Sequence, residues 1–272
     1  MITFVPAGGL GNRMRAIASA IELAKDAKSE LYIYWFQDWG LGCRFDDLFL
    51  PLHIDGVNLK EATITDKLLF DRPRKKNLYL PKLFEKLIFD KCLYEEEVTS
   101  LYLNNGNFLS WCLNKNVYLS SCVYFYPPVL PNHLFDIFHP IPDIQKKIDL
   151  ICSSFPESTV GVHIRRSDHI TAIQESPIEL FIERMKQEPE DVSFYLATDS
   201  EEVKEEMKKI FGKRIITSPH KANRGNLQGM QDALTELYVL SHTNKIIGSS
   251  KSTYSESAAE IGNIHCEVMK KI

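Results

Sequence analysis

Residues Thr159–Asp168 constrain this chain more than any other stretch. A β-branched, apolar run from Thr159 to Ile164 passes directly into Arg165-Arg166-Ser167-Asp168. The run reads as a short buried strand. Charge gathered only at its carboxyl end fits an open α/β sheet, where ligands sit in the crevice outside the carboxyl ends of strands. Two adjacent guanidiniums repel each other unless an anion joins them. A diphosphate suits them, because the guanidinium fork matches phosphate oxygens bidentately and stays charged at any working pH. The plainer alternative is an arginine pair that bridges to surface carboxylates.

The rest of the second half is built from similar pieces. Helices are expected over Asp143–Ser153, from Pro177 through Gln187, and over Glu201–Phe211, Asp232–Ser241 and Thr253–Ile261. Pro177 suits an early helical position. Strands are expected over Val192–Ala197, Arg214–Thr217, Lys245–Gly248 and Ile264–Val268. Strands alternating with helices imply a parallel sheet covered on both faces.

The N-terminus repeats the pattern. Ile2 to Pro6 is strand-like, Ala7-Gly8-Gly9-Leu10-Gly11-Asn12 follows as a glycine-rich turn, and Met14, Ile17, Ala18, Ile21 and Ala24 recur at helical spacing. Leu31 to Phe36 completes a βαβ unit. Its turn presents backbone N–H groups at a helix N-terminus, a place for an anion or a sugar hydroxyl. A dinucleotide fingerprint is the rival reading, with Gly9 and Gly11 as its first glycines and Asp38 after the second strand. Met14 stands at the third glycine, where it would hinder helix–strand packing. Trp39 lies in a loop at the carboxyl edge, able to stack on a sugar or to lid the core.

Residues 44–140 are less regular. Phe45–Leu52 and Ile54–Leu59 are short apolar pieces, Arg72–Lys76 reads as a solvated basic loop, and Leu78–Leu80 and Val117–Leu119 as strands. Tyr124–Pro128, Pro131, Pro140 and Pro142 mark a domain boundary. The expected domains are 1–140 and 141–272.

Composition narrows the function classes. A formal net charge of −4 over 272 residues leaves no basic field for nucleic acid. No apolar run is long enough to span a bilayer, so no integral membrane segment is expected. Ile2-Thr3-Phe4-Val5 reads as a strand rather than a leader. The six scattered cysteines lack zinc spacing and read as reduced thiols of a cytoplasmic protein.

Three strand ends in the second half gather polar groups. The first carries His163, Arg165, Arg166 and Asp168; the second Thr198, Asp199 and Ser200; the third the hydroxyl-rich turn Gly248–Ser255, which opens a helix. Each has an ordinary reading. Asp199 and Ser252 or Thr253 would be helix caps, His163 a satisfied buried histidine, and Glu236 a solvated helix charge. The chain contains no Asp-x-Asp pair of the kind that holds a nucleotide diphosphate through a metal. Arginines would then neutralise the diphosphate, with no metal.

These motifs resemble those of the fucosyltransferase superfamily. Gly9-Leu10-Gly11-Asn12-Arg13 looks like its opening, and Gly161–Asp168 resembles the H-x-R-R-x-D motif of the core α1,6 and nodulation members. Tyr195–Ser200 resembles the second motif, and Glu236–Ser241 through Ser252–Ser255 the third, shared with protein O-fucosyltransferases. The resemblance implies a GT-B-like α/β fold: two Rossmann-like domains with a cleft between them, an N-terminal acceptor-side domain and a C-terminal domain that binds GDP-fucose. It implies inverting, metal-independent transfer of fucose to a glycan acceptor hydroxyl, with no cofactor beyond the donor substrate. Arg165 would stabilise the departing diphosphate and Arg166 assist on the nucleotide side. Glu236, where the family usually has Asp, would select guanine. His163 would meet base or ribose, and Ser252, Thr253 and Tyr254 would line phosphate and fucose. Asp199 belongs to the donor site, and Gly11 and Asn12 would face the donor from the other half. Asp168 and Glu175 are both candidates for the general base. The alternatives are another GDP- or UDP-sugar as donor, an NAD-dependent oxidoreductase, and a non-catalytic sugar or nucleotide binder.

Overall fold

The computed structural model describes residues 1–73, 80–127, 133–166 and 170–271, without the side chains of His133 and Ala172. The chain divides into two compact units, Met1–His139 and Pro140–Ile272.

The N-terminal unit begins with β1 (Ile2–Pro6), α1 (Leu10–Asp26), β2 (Leu31–Trp35) and β3 (Val57–Glu61). It continues through α2 (Ile64–Phe70), α3 (Leu80–Ile88), β4 (Lys91–Leu93), α4 (Glu95–Leu103), α5 (Phe108–Cys112), β5 (Val117–Ser121) and α6 (His133–Ile137). Its five strands are ordered β3-β2-β1-β5-β4, and every pairing is parallel. β1 is central and wholly buried, as expected for an apolar strand covered on both faces. The predicted face of α1, Met14, Ile17, Ala18, Ile21 and Ala24, is buried. The glycine turn is shorter than expected: the helix starts at Leu10, so Gly11 and Asn12 belong to its first turn. Gly8 has φ +82°, and a Cβ there would lie 2.8 Å from the Asn12 amide nitrogen, so glycine is required. Val117–Leu119 lies within β5. Leu80 opens α3 rather than a strand, and Leu78 and Tyr79 lie outside the described residues. Five helices, α2 to α6, and the strands β3 and β4 had no distinct signal in residues 44–140.

An ion cluster holds the carboxyl end of β2. Arg13 is wholly buried. It donates to the Gly8 and Phe36 carbonyls, sits 4.9 Å over the Trp35 ring and pairs with Asp38 at 2.9 Å. Arg72 reaches the other Asp38 oxygen at 2.9 Å and Glu95 at 2.7 Å. Arg72 is therefore buried rather than solvated, because two carboxylates compensate its desolvation; Arg74, Lys75 and Lys76 of the expected basic loop lie outside the described residues. Asp38 also accepts the Gly40 N–H. Its carboxylate is engaged on both oxygens, an arrangement that disfavours the ribose contact of a dinucleotide site. Trp39, by contrast, is 80% exposed and does not lid the core.

The C-terminal unit runs α7 (Pro142–Ser153), β6 (Thr159–Ile164), α8 (Ile170–Glu175), α9 (Ile178–Lys186), β7 (Ser193–Thr198) and α10 (Glu201–Phe211). Then come β8 (Ile215–Thr217), α11 (Leu227–Ser241), β9 (Ile246–Ser249), α12 (Thr253–Gly262) and β10 (Cys266–Met269). These five strands are also parallel, in the order β10-β9-β6-β7-β8. Val160, Val162 and Ile164 of β6 pack with Phe194 and Leu196 of β7 and with Phe181, Met185, Val203 and Met207 from helices. α12 lies close over β9: a Cβ on Gly248 would come 2.6 Å from the Ser255 hydroxyl. The chain builds outward from β6 to β8, then returns to the other side of β6 as β9. The direction of winding reverses between β6 and β9, and at such switch points a crevice opens at the carboxyl ends.

Removing the Asp38 carboxylate would leave two buried guanidiniums short of a partner. Asp38→Ala should cost about 3–5 kcal/mol in urea unfolding. Burial raises the Asp38 pKa, but the Arg13 and Arg72 charges outweigh it and the net shift is downward. Its contribution is therefore full above the unfolded carboxylate range, near ~4, and lost as pH falls through the folded value. An unchanged unfolding midpoint in Asp38→Ala would contradict this account.

Candidate functional site

The backbone leaving β6 is fastened to both neighbouring strands. The Arg165 N–H donates to the Ser249 hydroxyl at 3.0 Å, and that hydroxyl lies 3.3 Å from the His163 carbonyl, to which it donates. On the other side the Arg166 N–H donates to Asp199 at 2.6 Å, and the Thr198 hydroxyl donates to the Ile164 carbonyl at 2.6 Å. Asp199 therefore tethers β6 to β7 and does not cap α10; Ser200 is the cap, accepting from the Val203 N–H.

The arginine pair divides its work. The Arg166 guanidinium turns back on the main chain, donating to the Arg165 carbonyl at 2.9 Å and the Ser176 carbonyl at 3.0 Å. It braces the loop, and burial lowers its pKa. Arg165 is half-buried at the β6–β9 switch point.

Beside it stands the turn that opens α12. Ser252 occupies the N-cap position but makes no cap hydrogen bond. Its hydroxyl lies 3.3 Å from His163 Nδ1 instead. The helix N-terminus thus keeps its N–H groups clear of that cap side chain, as suits an anion. Burial drives the His163 pKa down to about 4, Asp199 opposes this, and the Arg165 and Arg224 charges reinforce it. The ring is neutral at physiological pH and sits 4.8 Å from the Tyr254 ring. The Tyr254 hydroxyl donates to the Ala233 carbonyl, and Thr253 is the first residue of α12.

Glu175, a candidate base from sequence, serves this turn structurally. It accepts from the Ser250 hydroxyl at 2.6 Å and pairs with Lys251 at 2.7 Å. Those two contacts bring its pKa down to about 2, with Lys270 adding to the shift. A carboxylate so well stabilised is a weak base. Lys251 holds a left-handed φ of 54°, and Ser176 accepts the Ser250 N–H at 2.8 Å, so the turn is anchored on both sides. Asp168 lies outside the described residues.

Glu236 is half-buried on α11 rather than solvated. Burial raises its pKa to about 8; Lys204 opposes the shift, and Asp232 and Glu201 add to it. Its charge acts on the hydroxyls of Tyr195 and Tyr254. Tyr254 is therefore within reach of the Glu236 charge and in ring contact with His163. Arg224, between β8 and α11, was not anticipated. Its charge reaches both His163 and Tyr254, and its only sequence signal is its place after a short strand. A cavity of about 530 Å³ in the same unit is lined by Lys147, His220, Lys221, Asn223, Asn226 and Asp232, among others. Gly11 and Asn12 lie in α1 of the other unit. Among the described residues no group of three or more His, Cys, Asp or Glu is placed to hold a metal ion, and no helix is long and apolar enough to cross a membrane.

Two parallel α/β units define the fold as GT-B-like. No protein-family model matches the chain, and no curated protein does. Solved structures do match. A NodZ α-1,6-fucosyltransferase co-crystallised with GDP is 21% identical with a TM-score of 0.67, over 94% of this chain and 91% of that one. Fucosyltransferase NodZ from Bradyrhizobium is also 21% identical with a TM-score of 0.65, over 94% and 92%. POFUT1 in complex with GDP-fucose is 12% identical with a TM-score of 0.58, over 98% and 97%. The chain has the fold of these fucosyltransferases.

The raised pKa of Glu236 has a measurable consequence. The folded state binds this proton more tightly than the unfolded chain, whose glutamates titrate near ~4.3. The protonated form's stabilisation is full below that value and is lost as pH rises through about 8. Glu236→Gln cannot ionise, so it should gain stability on the parent protein steadily from pH 5 to about pH 8 and level off above it. A gap independent of pH in chemical denaturation would contradict the raised value.

Proposed function

We propose that the protein is an inverting, metal-independent glycosyltransferase that moves fucose from GDP-fucose to a glycan hydroxyl. One observation carries the reading: Arg165, locked by its own N–H to Ser249, stands at the β6–β9 switch point beside a helix N-terminus whose N-cap hydroxyl is turned to His163. A guanidinium and main-chain N–H groups gathered in this way support the reading of a site for a diphosphate leaving group. The fold shared with fucosyltransferases that bind GDP or GDP-fucose supports the same reading.

The proposed chemistry is dissociation of GDP from fucose C1 as an acceptor hydroxyl attacks from the opposite face. Negative charge grows on the β-phosphate as the bond breaks, so Arg165 acts mainly in the transition state. Arg166 and Asp199 keep Arg165 in place. Ser252 and Thr253 bind phosphate at the start of α12, and neutral His163, packed against Tyr254, meets the base or ribose. Arg224 adds a second positive charge on this side. Asp168 is the candidate base, since Glu175, its pKa brought down to about 2, is too weak a base. Glu236 accepts from guanine N1–H and N2–H as a carboxylate. With its pKa raised to about 8, guanine binding would release its proton, and affinity should rise as pH approaches 8. The six cysteines are free thiols throughout, which fits a cytoplasmic enzyme, and the proposed place of the reaction is polysaccharide assembly.

Calorimetric titration with EDTA present should show binding of GDP but not of UDP or NAD. NAD binding, or no nucleotide binding, would overturn the proposal. Arg165→Ala should keep its fold and lose about 10²–10³ in kcat; turnover at the parent rate in a folded variant would remove Arg165 from the mechanism.

A further inference from the structure

Helix α3 is built inside out. Its one carboxylate, Glu85, is wholly buried and accepts the Tyr94 hydroxyl at 2.7 Å. Pro81 is buried on the same side. Leu80, Leu83 and Leu87, spaced at helical i, i+3 and i+7, face outward instead; Leu83 is 60% and Leu87 76% exposed. Ile88 extends the outward face at 44%. Burial raises the Glu85 pKa to about 7 against the opposing hydrogen bonds of Tyr94 and Tyr118, with the Asp71 charge adding to the rise, a cost that the opposite orientation of the helix would avoid.

The neighbouring helix α2, which packs against α3, does the same. Its only acid, Asp66, is buried, where it accepts from Thr63 in a capping box. Ile64 and Leu68, four residues apart, are 81% and 58% exposed. The inward sides are ordinary core: Phe70 and Phe89 pack on Tyr34 and Tyr118. Charge on the outer side is positive. Lys67 and Lys86 are exposed on the two helices, whereas Asp71 and Asp90 fall beyond the helix ends, Asp90 accepting the Asn116 N–H.

We propose that α2 and α3 form a face that lays these branched aliphatic side chains against an anionic lipid leaflet. Exposed apolar clusters of this kind mark interaction sites. Leucine and isoleucine flanked by lysine, with the carboxylates withdrawn, is the composition of a helix lying in a membrane interface. A protein-binding core would instead be rich in aromatic residues and poor in lysine. The face lies on the membrane and does not span it. It belongs to the N-terminal unit alone, so it stands apart from the fucosyl-transfer reading.

The test is flotation of the full chain, without nucleotide, on vesicles of pure phosphatidylcholine and of an equal mixture of phosphatidylcholine and phosphatidylglycerol. The protein should float with the anionic vesicles, and 0.5 M salt should weaken the association through about a threefold shorter Debye length than at low salt. Leu83→Ser/Leu87→Ser should reduce the bound fraction about tenfold with its thermal melt unchanged. These are exposed positions, so folding is not at stake. Lys67→Gln/Lys86→Gln should abolish the preference for anionic lipid. No flotation with either vesicle, or leucine-variant flotation equal to the parent's, would overturn the proposal. So would a dimer in sedimentation that dissociates in the leucine variant, because a second copy would then be what covers the face.

Discussion

The two backbone N–H groups that follow β6 hold the candidate site together. One is taken by Ser249 on β9 and the other by Asp199 beyond β7. A loop after a strand is ordinarily free to wander, and a guanidinium on such a loop would lose conformational entropy each time it met an anion. Here one anchor lies on β9 and the other directly follows β7. Arg166 then closes the loop from below by binding the carbonyls of Arg165 and Ser176. Arg165 is left pre-positioned, the condition under which an electrostatic contact acts on a transition state without reorganisation.

The same economy appears in the turn before α12. Of its serines, Ser252 reads in sequence as a routine helix cap. Ser249 ties two strands, Ser250 binds Glu175, and Ser252 turns to His163. Glu175 follows from this arrangement: with Ser250 and Lys251 on its oxygens, it stabilises a left-handed turn and has little tendency to take a proton. Buried ionic groups recur in the N-terminal unit, where Asp38 is shared between Arg13 and Arg72. In both units a carboxylate that sequence reasoning would offer to a ligand is already satisfied within the protein.

Much of the C-terminal unit was legible. The alternation of apolar strands with amphipathic helices has a strong period, and Glu201–Phe211 and Thr159–Ile164 coincide with α10 and β6. α11 begins at Leu227, five residues before the expected start, because Asn226 caps it and Gly229 packs against Asn223. Residues 44–140 were harder for a physical reason. Their helices are short, and two of them turn leucine outward and carboxylate inward, which inverts the pattern that periodicity reads.

Sequence alone determined the parallel α/β class, the chemistry of the strand ends and the motif likeness, because these depend on local periodicity and on residue type. Tertiary structure decided which of those polar residues act together. Strand order set the switch point between β6 and β9, which the order of elements along the chain does not reveal. Packing separated Arg165 from Arg166, withdrew Glu175 from base chemistry, moved the Glu236 pKa to about 8 and brought in Arg224. Each of these outcomes depends on distance and desolvation between residues far apart in sequence, and only the folded chain specifies those.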